Sequence, residues 1–146
     1  MMNIIHYRNG QANMKKKAIY VSLGLLILLA LGLFLNRQYH LNKYHETQRE
    51  RIELFFHYNY KDITSITFTG TSTTPMGSLD FEGYFNGDED ERFTATIMSH
   101  EENFEYHNVI SGDFDDKHFR GETYEKLVPV SQILKEQGDK SNNDHE

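Results

Sequence analysis

Eighteen consecutive residues without a charge, AIYVSLGLLILLALGLFL at positions 18–35, constrain this chain more than any other feature. As a helix rising about 1.5 Å per residue, the run measures about 27 Å, most of a hydrocarbon core roughly 30 Å thick. It is apolar on every side, and a small soluble domain has nowhere to bury such a helix. The competing reading is a cleaved signal peptide. Ala30, Leu31 and Gly32 place small residues at peptidase spacing, but the apolar run continues through Leu33, Phe34 and Leu35 with no polar region before the site. An uncleaved signal anchor is the favoured expectation. MKKKAIYVSLGLL, from Met14, is a complete export signal by itself, so Met14 competes with Met1 as the start.

Orientation follows from basic residues. Arg8, Lys15, Lys16 and Lys17 precede the run, and Arg37, Lys43, Arg49 and Arg51 follow it. The counts tie under the positive-inside rule, but three lysines abut the apolar run while the later ones are interleaved with Glu46, Glu50 and Glu53. The amino terminus is therefore expected inside and the rest outside.

The formal charge of −7 conceals an asymmetry. All 22 acidic residues but only 11 of the 15 basic ones lie after residue 35, leaving a charge near −11 there. Such a unit repels phosphate backbones, which argues against a nucleic-acid partner. The absence of cysteine excludes disulfides, thiol nucleophiles, thiolate metal sites and a lipid-modified cysteine.

Residues 42–60, NKYHETQRERIELFFHYNY, read as a helix in which Gln48, Ile52, Phe55, Phe56 and Asn59 share one stripe. A β-branched run, DITSITFTGTST, follows, with Ile66 and Phe68 on one face. TPMGS is a turn. Leu79, Phe81, Gly83 and Phe85 then alternate with Asp80, Glu82 and Tyr84, as in a half-buried strand. Gly83 at its centre signals a bulge or a close approach of the helix. Asn86-Gly87 is a hairpin signal. Beyond it, Phe93, Ala95 and Ile97 face inward, and FEYHNVISG offers Phe104, Tyr106 and Ile110. Pro129 opens a short helix with Val130, Ile133 and Leu134 inward.

Chemistry-bearing motifs are sparse. NGDEDE lacks the spacing of a twelve-residue calcium loop, and GDFDD, at positions 112–116, is a second acidic cluster. Eight histidines include no HExxH, and no GxSxG is present. Asp80 and Glu82 form a carboxylate pair on paper but read more simply as the wet side of a sheet. No catalytic, metal or cofactor residues are assigned.

The segments ERIELFFHYN, ITFT, TPMG, EGYFNGD and FTATI, in that order behind a basic start and an apolar span, resemble the small Gram-positive family catalogued as domain of unknown function 1433, over about residues 49–112. The resemblance implies an exposed, membrane-anchored or lipoprotein-like module, some members of which look like partners or immunity proteins for secreted toxins. It carries over no catalytic residues. Lacking cysteine, this chain departs from the lipoprotein pattern and must use its own helix as anchor.

The expectation is thus an α+β protein: an N-terminal transmembrane helix, then a helix packed on a three- to four-stranded antiparallel meander with a short C-terminal helix. Residues 1–17 form a basic cytoplasmic segment, 18–35 the anchor crossing the lipid bilayer, 36–47 a stalk, 48–137 the extracytoplasmic domain and 138–146 a disordered tail. The function expected is binding of a protein partner, without catalysis or cofactor, through Asp88, Glu89, Asp90 and Glu91. An envelope sensor for a small molecule or ion is the alternative, and a hydrolase the remote one.

Overall fold

A computed structural model of the chain describes residues 2–111, 113–121 and 127–143. Its first element, α1 (Met2–Asn59), is assigned as helix throughout, so the apolar run, the polar stalk and the amphipathic stretch are consecutive helical segments. No proline interrupts those residues, and the interior glycines each cost only about 1 kcal/mol. The helix extends to Met2, where the sequence shows no clear pattern. Ile19–Asn59 contains a stretch long and apolar enough to cross a membrane, by length and composition.

The chain divides into two compact units, Met1–Tyr44 and His45–Glu146. The division falls three residues before Gln48 because the His45 ring already packs edge-on against Phe81, with centroids 5.8 Å apart. In the first unit, every described side chain from Ile19 to Leu35 is exposed. The Ser22 hydroxyl donates to the Ile19 carbonyl at 2.9 Å, which satisfies its hydrogen within the helix.

In the second unit, the five stripe residues Gln48, Ile52, Phe55, Phe56 and Asn59 are all buried. They meet the inner face of a four-stranded antiparallel meander in the order β1 (Ile66–Thr73), β2 (Leu79–Phe85), β3 (Arg92–Ile97) and β4 (Asn108–Ile110). Phe56 sits at 4.9 Å from both Phe85 and Phe93, centroid to centroid. Phe81, Phe93, Ala95 and Ile97 complete that face. Each large side chain so enclosed contributes about 1.5–3 kcal/mol.

The two buried polar residues of the stripe are both hydrogen-bonded. Gln48 Nε2 donates to Asn103 Oδ1 at 2.8 Å, and its Oε1 accepts from the Phe104 N–H at 2.9 Å. The Asn59 amide group donates to the Phe55 and Val128 carbonyls, while its oxygen accepts from the Val128 N–H at 2.8 Å. These bonds pull in chain segments that have no regular structure of their own, which is why a polar residue belongs in this stripe.

Gly83 owes its place to the facing strand's backbone and to a ring, rather than to the helix. A Cβ there would lie 2.3 Å from the Thr67 carbonyl oxygen and 2.6 Å from the Phe93 ring. The bulge is on the facing strand, between Phe68 and Gly70. Two side chains expected inside are half-exposed: Tyr106, because β4 begins only at Asn108, and Leu134, because Val130 and Ile133 already fill the inner side of the C-terminal helix. A five-residue helix, α2 (Phe114–His118), follows the sheet, and α3 (Val130–Asn143) closes the chain. α3 passes Gly138, so residues 138–143 are helical where composition led us to expect a disordered tail; no proline stops the helix there. Residues 144–146 and Gly112, the first residue of the GDFDD cluster, lie outside the described residues.

Candidate functional site

The four acidic residues singled out in the sequence occupy a braced loop. β2 ends at Phe85 and β3 begins at Arg92, so the connection is longer than the two-residue hairpin that Asn86-Gly87 signals. It consists of two consecutive turns. Asn86 and Gly87 have φ of 55° and 77°, and the Asp88 N–H donates to the Phe85 carbonyl at 2.9 Å, the geometry of a type I′ turn. The Glu91 N–H then returns to the Asp88 carbonyl at 3.1 Å. The Asp90 N–H donates to Asp88 Oδ1 at 2.9 Å, and Arg92 Nε donates to the Glu89 carbonyl at 2.7 Å.

Asn86 ties this loop to the segment leading into β1. Its Oδ1 accepts from the Thr64 N–H at 2.7 Å and the Thr64 hydroxyl at 2.9 Å, and its Nδ2 donates to the Asp62 carbonyl at 3.1 Å. The result is a fixed tip from which Asp88, Glu89 and Asp90 stand exposed and Glu91 half-exposed. Ser111, just before the second acidic cluster in sequence, donates its hydroxyl to the Asp90 carbonyl of the tip at 3.2 Å. Among the described residues, no three of His, Cys, Asp and Glu lie close enough to hold a metal ion.

Two clefts lie in the second unit, and one of them reaches the tip at Glu89. One, of about 360 Å³, lies on the open face of the sheet and is lined by Glu82, Tyr84, Glu89, Arg92 and Thr94 among others. Its floor is formed by the outward-facing residues of β2 and β3, where Tyr84 pairs with Arg92 and Glu82 with Thr94. Asp80, the neighbour of Glu82 on that face, accepts from the Thr96 hydroxyl at 2.8 Å, so the carboxylate pair read from the sequence is divided between a hydrogen bond and a cleft wall.

The other cleft, about 430 Å³, is bordered by Tyr60, Met98, Tyr106, Asn108 and Asp115. Burial holds the Asp115 carboxyl above the usual carboxylate range; a hydrogen bond from Tyr60 works against that, and the neighbouring charge of Asp116 adds to it. Asp115 Oδ1 is buried without a hydrogen-bond partner. Sequence reasoning did not single out Asp115 or Tyr60 for this cleft. Asp115 lay inside an acidic run read as surface, and only α2 turns it inward.

A network of charge links the helix to the rest of the unit. Arg51 Nη2 lies 2.6 Å from Glu105 Oε1, its Nε donates to the Phe104 carbonyl, and Glu105 Oε2 accepts from the Ser131 N–H at 2.9 Å. This is a structural clamp joining α1, the β3–β4 connection and the start of α3.

A family model described as "Protein of unknown function (DUF1433)" matches residues 44–137, a span that begins one residue before the second compact unit. No curated protein matches the chain. Among solved structures, the solution NMR structure of the folded 79-residue fragment of Lin0334 from Listeria innocua aligns with a TM-score of 0.51 at 23% identity, covering 64% of this chain and 94% of that one. At that identity the likeness is one of fold.

Proposed function

The chain belongs to the DUF1433 family, and from that premise we propose that it is a single-pass membrane-anchored protein of a Gram-positive cell whose folded unit binds another protein outside the membrane, without catalysis. One observation carries the reading: the apolar side chains of residues 19–35 find no cover, while the same helix a few turns later is tightly packed. Exposed leucines on every side of a helix are stable in lipid, not in water. Three lysines directly before the run favour an inside amino terminus.

The surface proposed for the partner is the tip of Asp88, Glu89, Asp90 and Glu91. Its backbone is fixed by Asn86 and by its own two turns, so little order is lost when it is engaged. Its charge selects a basic partner, and a secreted toxin held at the membrane by an immunity protein fits that description. Complementary charge raises the association rate and makes it salt-dependent. The test is covalent capture on intact cells with a short amine-reactive cross-linker, comparing the natural chain with one carrying Asn or Gln at all four tip positions, which removes the charge and adds no reactive amine. Loss of a specific adduct, with the chain still in the membrane fraction, is expected. An unchanged adduct refutes the tip as the contact. Shaving intact cells with protease tests the orientation in the same preparation: the unit after residue 44 must be digested.

A further inference from the structure

The sheet has two edges of unequal length. β4 is three residues long, and β1, at the other edge, is eight. β1 reads ITFTGTST and contains no charged residue, in a unit, His45–Glu146, that holds 22 acidic and 9 basic residues and so carries a charge near −13. An exposed edge of that length is normally blunted by lysine, proline, a β-bulge or a covering element; here the bulge between Phe68 and Gly70 disturbs only the middle of the edge. Among the described residues, no hydrogen bond reaches the outer side of β1; its only backbone partners lie on β2 and the adjoining turns.

The hydrogen-bond phase of that edge can be worked out. Ser65 accepts from the Asn86 N–H, and the Thr74 N–H donates to the Ser78 carbonyl, so Ser65 and Thr74 both direct their backbone groups toward β2. Alternation along a strand then turns Ile66 and Phe68 outward before the bulge, and Thr71 and Thr73 outward after it. The bulge interrupts regular pairing near Thr69. Gly70–Thr73 remains regular, with Thr71 and Thr73 each presenting one free N–H and one free carbonyl.

We propose that β1 pairs antiparallel with β1 of a second copy of this chain, about a two-fold axis at Ser72. In that register, Thr71 of each copy faces Thr73 of the other, and four backbone hydrogen bonds form. Centring the axis on Thr71 instead would set Thr73 against the bulge and lose half of them. The uncharged edge is what selects a second copy: it lets two strongly acidic units meet without opposing carboxylates along the contact. Because the three-residue β4 edge is too short to continue the ladder, the assembly closes at two chains rather than growing into a fibre. Four hydrogen bonds over so short a contact do not hold a dimer in dilute solution. Confinement to one membrane supplies the effective concentration, so the pairing rests on the anchored reading above.

The absence of cysteine makes the test clean. Facing residues at the axis form a non-hydrogen-bonded pair with Cα atoms about 4.5 Å apart, within disulfide range. Full-length S72C in membrane vesicles, treated with a mild oxidant, is expected to form a disulfide dimer at least tenfold faster than M76C, whose side chain is 88% exposed and reports random collision. Adding T71P to S72C removes an outward N–H that β2 does not use, and should return cross-linking to the M76C rate. T73K, which leaves every β1–β2 bond in place, should do the same if the proline variant does not fold. Equal rates for S72C and M76C, or cross-linking of S72C unchanged by both second substitutions, overturn the pairing. Carbonate extraction of the same vesicles separates the two readings. A chain released from the pellet contradicts the anchor, whereas a chain retained but not cross-linked contradicts the pairing alone.

Discussion

Residues 19–35 and 48–59 belong to the same helix and meet opposite fates. The first stretch is apolar on all sides and entirely exposed; in the second, Ile52, Phe55 and Phe56 are fully buried and their neighbours Glu53 and His57 face water. Secondary structure is identical in the two, so it explains neither. The difference lies in how apolar residues are distributed around the axis. A one-sided stripe is satisfied by one sheet face, whereas an all-round apolar surface needs a solvent of its own kind. A helix thus carries in its periodicity the medium each part requires.

The comparison can be broken at either end, and the largest effect should come from the packed end. Phe56→Ala removes a ring held between Phe85 and Phe93, and should destabilise the second unit by about 3–5 kcal/mol in denaturant titrations of the full chain in micelles. Membrane retention should not change. The converse substitution, Leu28→Arg, should disfavour insertion by about 2.5–3.5 kcal/mol, read as release on carbonate extraction, while denaturation of the second unit stays at its original midpoint. If either change moves both readouts, the two stretches are not independent.

Two smaller effects sharpen the packed side. Gln48→Leu keeps the stripe apolar but strands the Phe104 N–H, and should cost about 1–3 kcal/mol by the same titration. Asp115→Asn should have the smallest effect and a definite pH dependence. Since the folded-state pKa of Asp115 is raised, its protonated form favours folding, and the folded state loses stability as pH rises through that value. The variant should therefore melt higher than the natural chain at neutral pH and equally at a pH below the ordinary carboxylate range. A difference that persists at low pH would mean that the cleft is perturbed by shape and not by charge.

Much of this arrangement was legible in the residues. The stripe from Gln48 to Asn59 and the alternation from Leu79 to Phe85 are local patterns, and periodicity reads them directly. What escaped is set by distant partners. Asn86 was recognised as a turn residue, but its clasp on Thr64 depends on where β1 begins. Gly83 signalled something unusual, yet only the register shows that a phenylalanine ring occupies the space a side chain would need. Tyr106 alternates correctly for a strand, but the preceding backbone is claimed by Gln48, and β4 starts two residues later. The acidic tip was found as composition. Its rigidity, which makes it a credible contact, comes from hydrogen bonds invisible along the chain.

The most direct measurement is a single-cysteine nitroxide scan of the full chain in lipid nanodiscs, from Ile19 to Asn59, reading mobility and accessibility to oxygen and to a water-soluble relaxant. The account predicts labels between 19 and 35 that favour oxygen at every position with no periodicity, and labels between 48 and 59 whose immobilisation recurs every 3.6 residues at Gln48, Ile52, Phe55 and Asn59. Access of the water-soluble relaxant to the first stretch, or a 3.6-residue alternation within it, would show that this part of the helix is packed against protein, and the division proposed here would not stand.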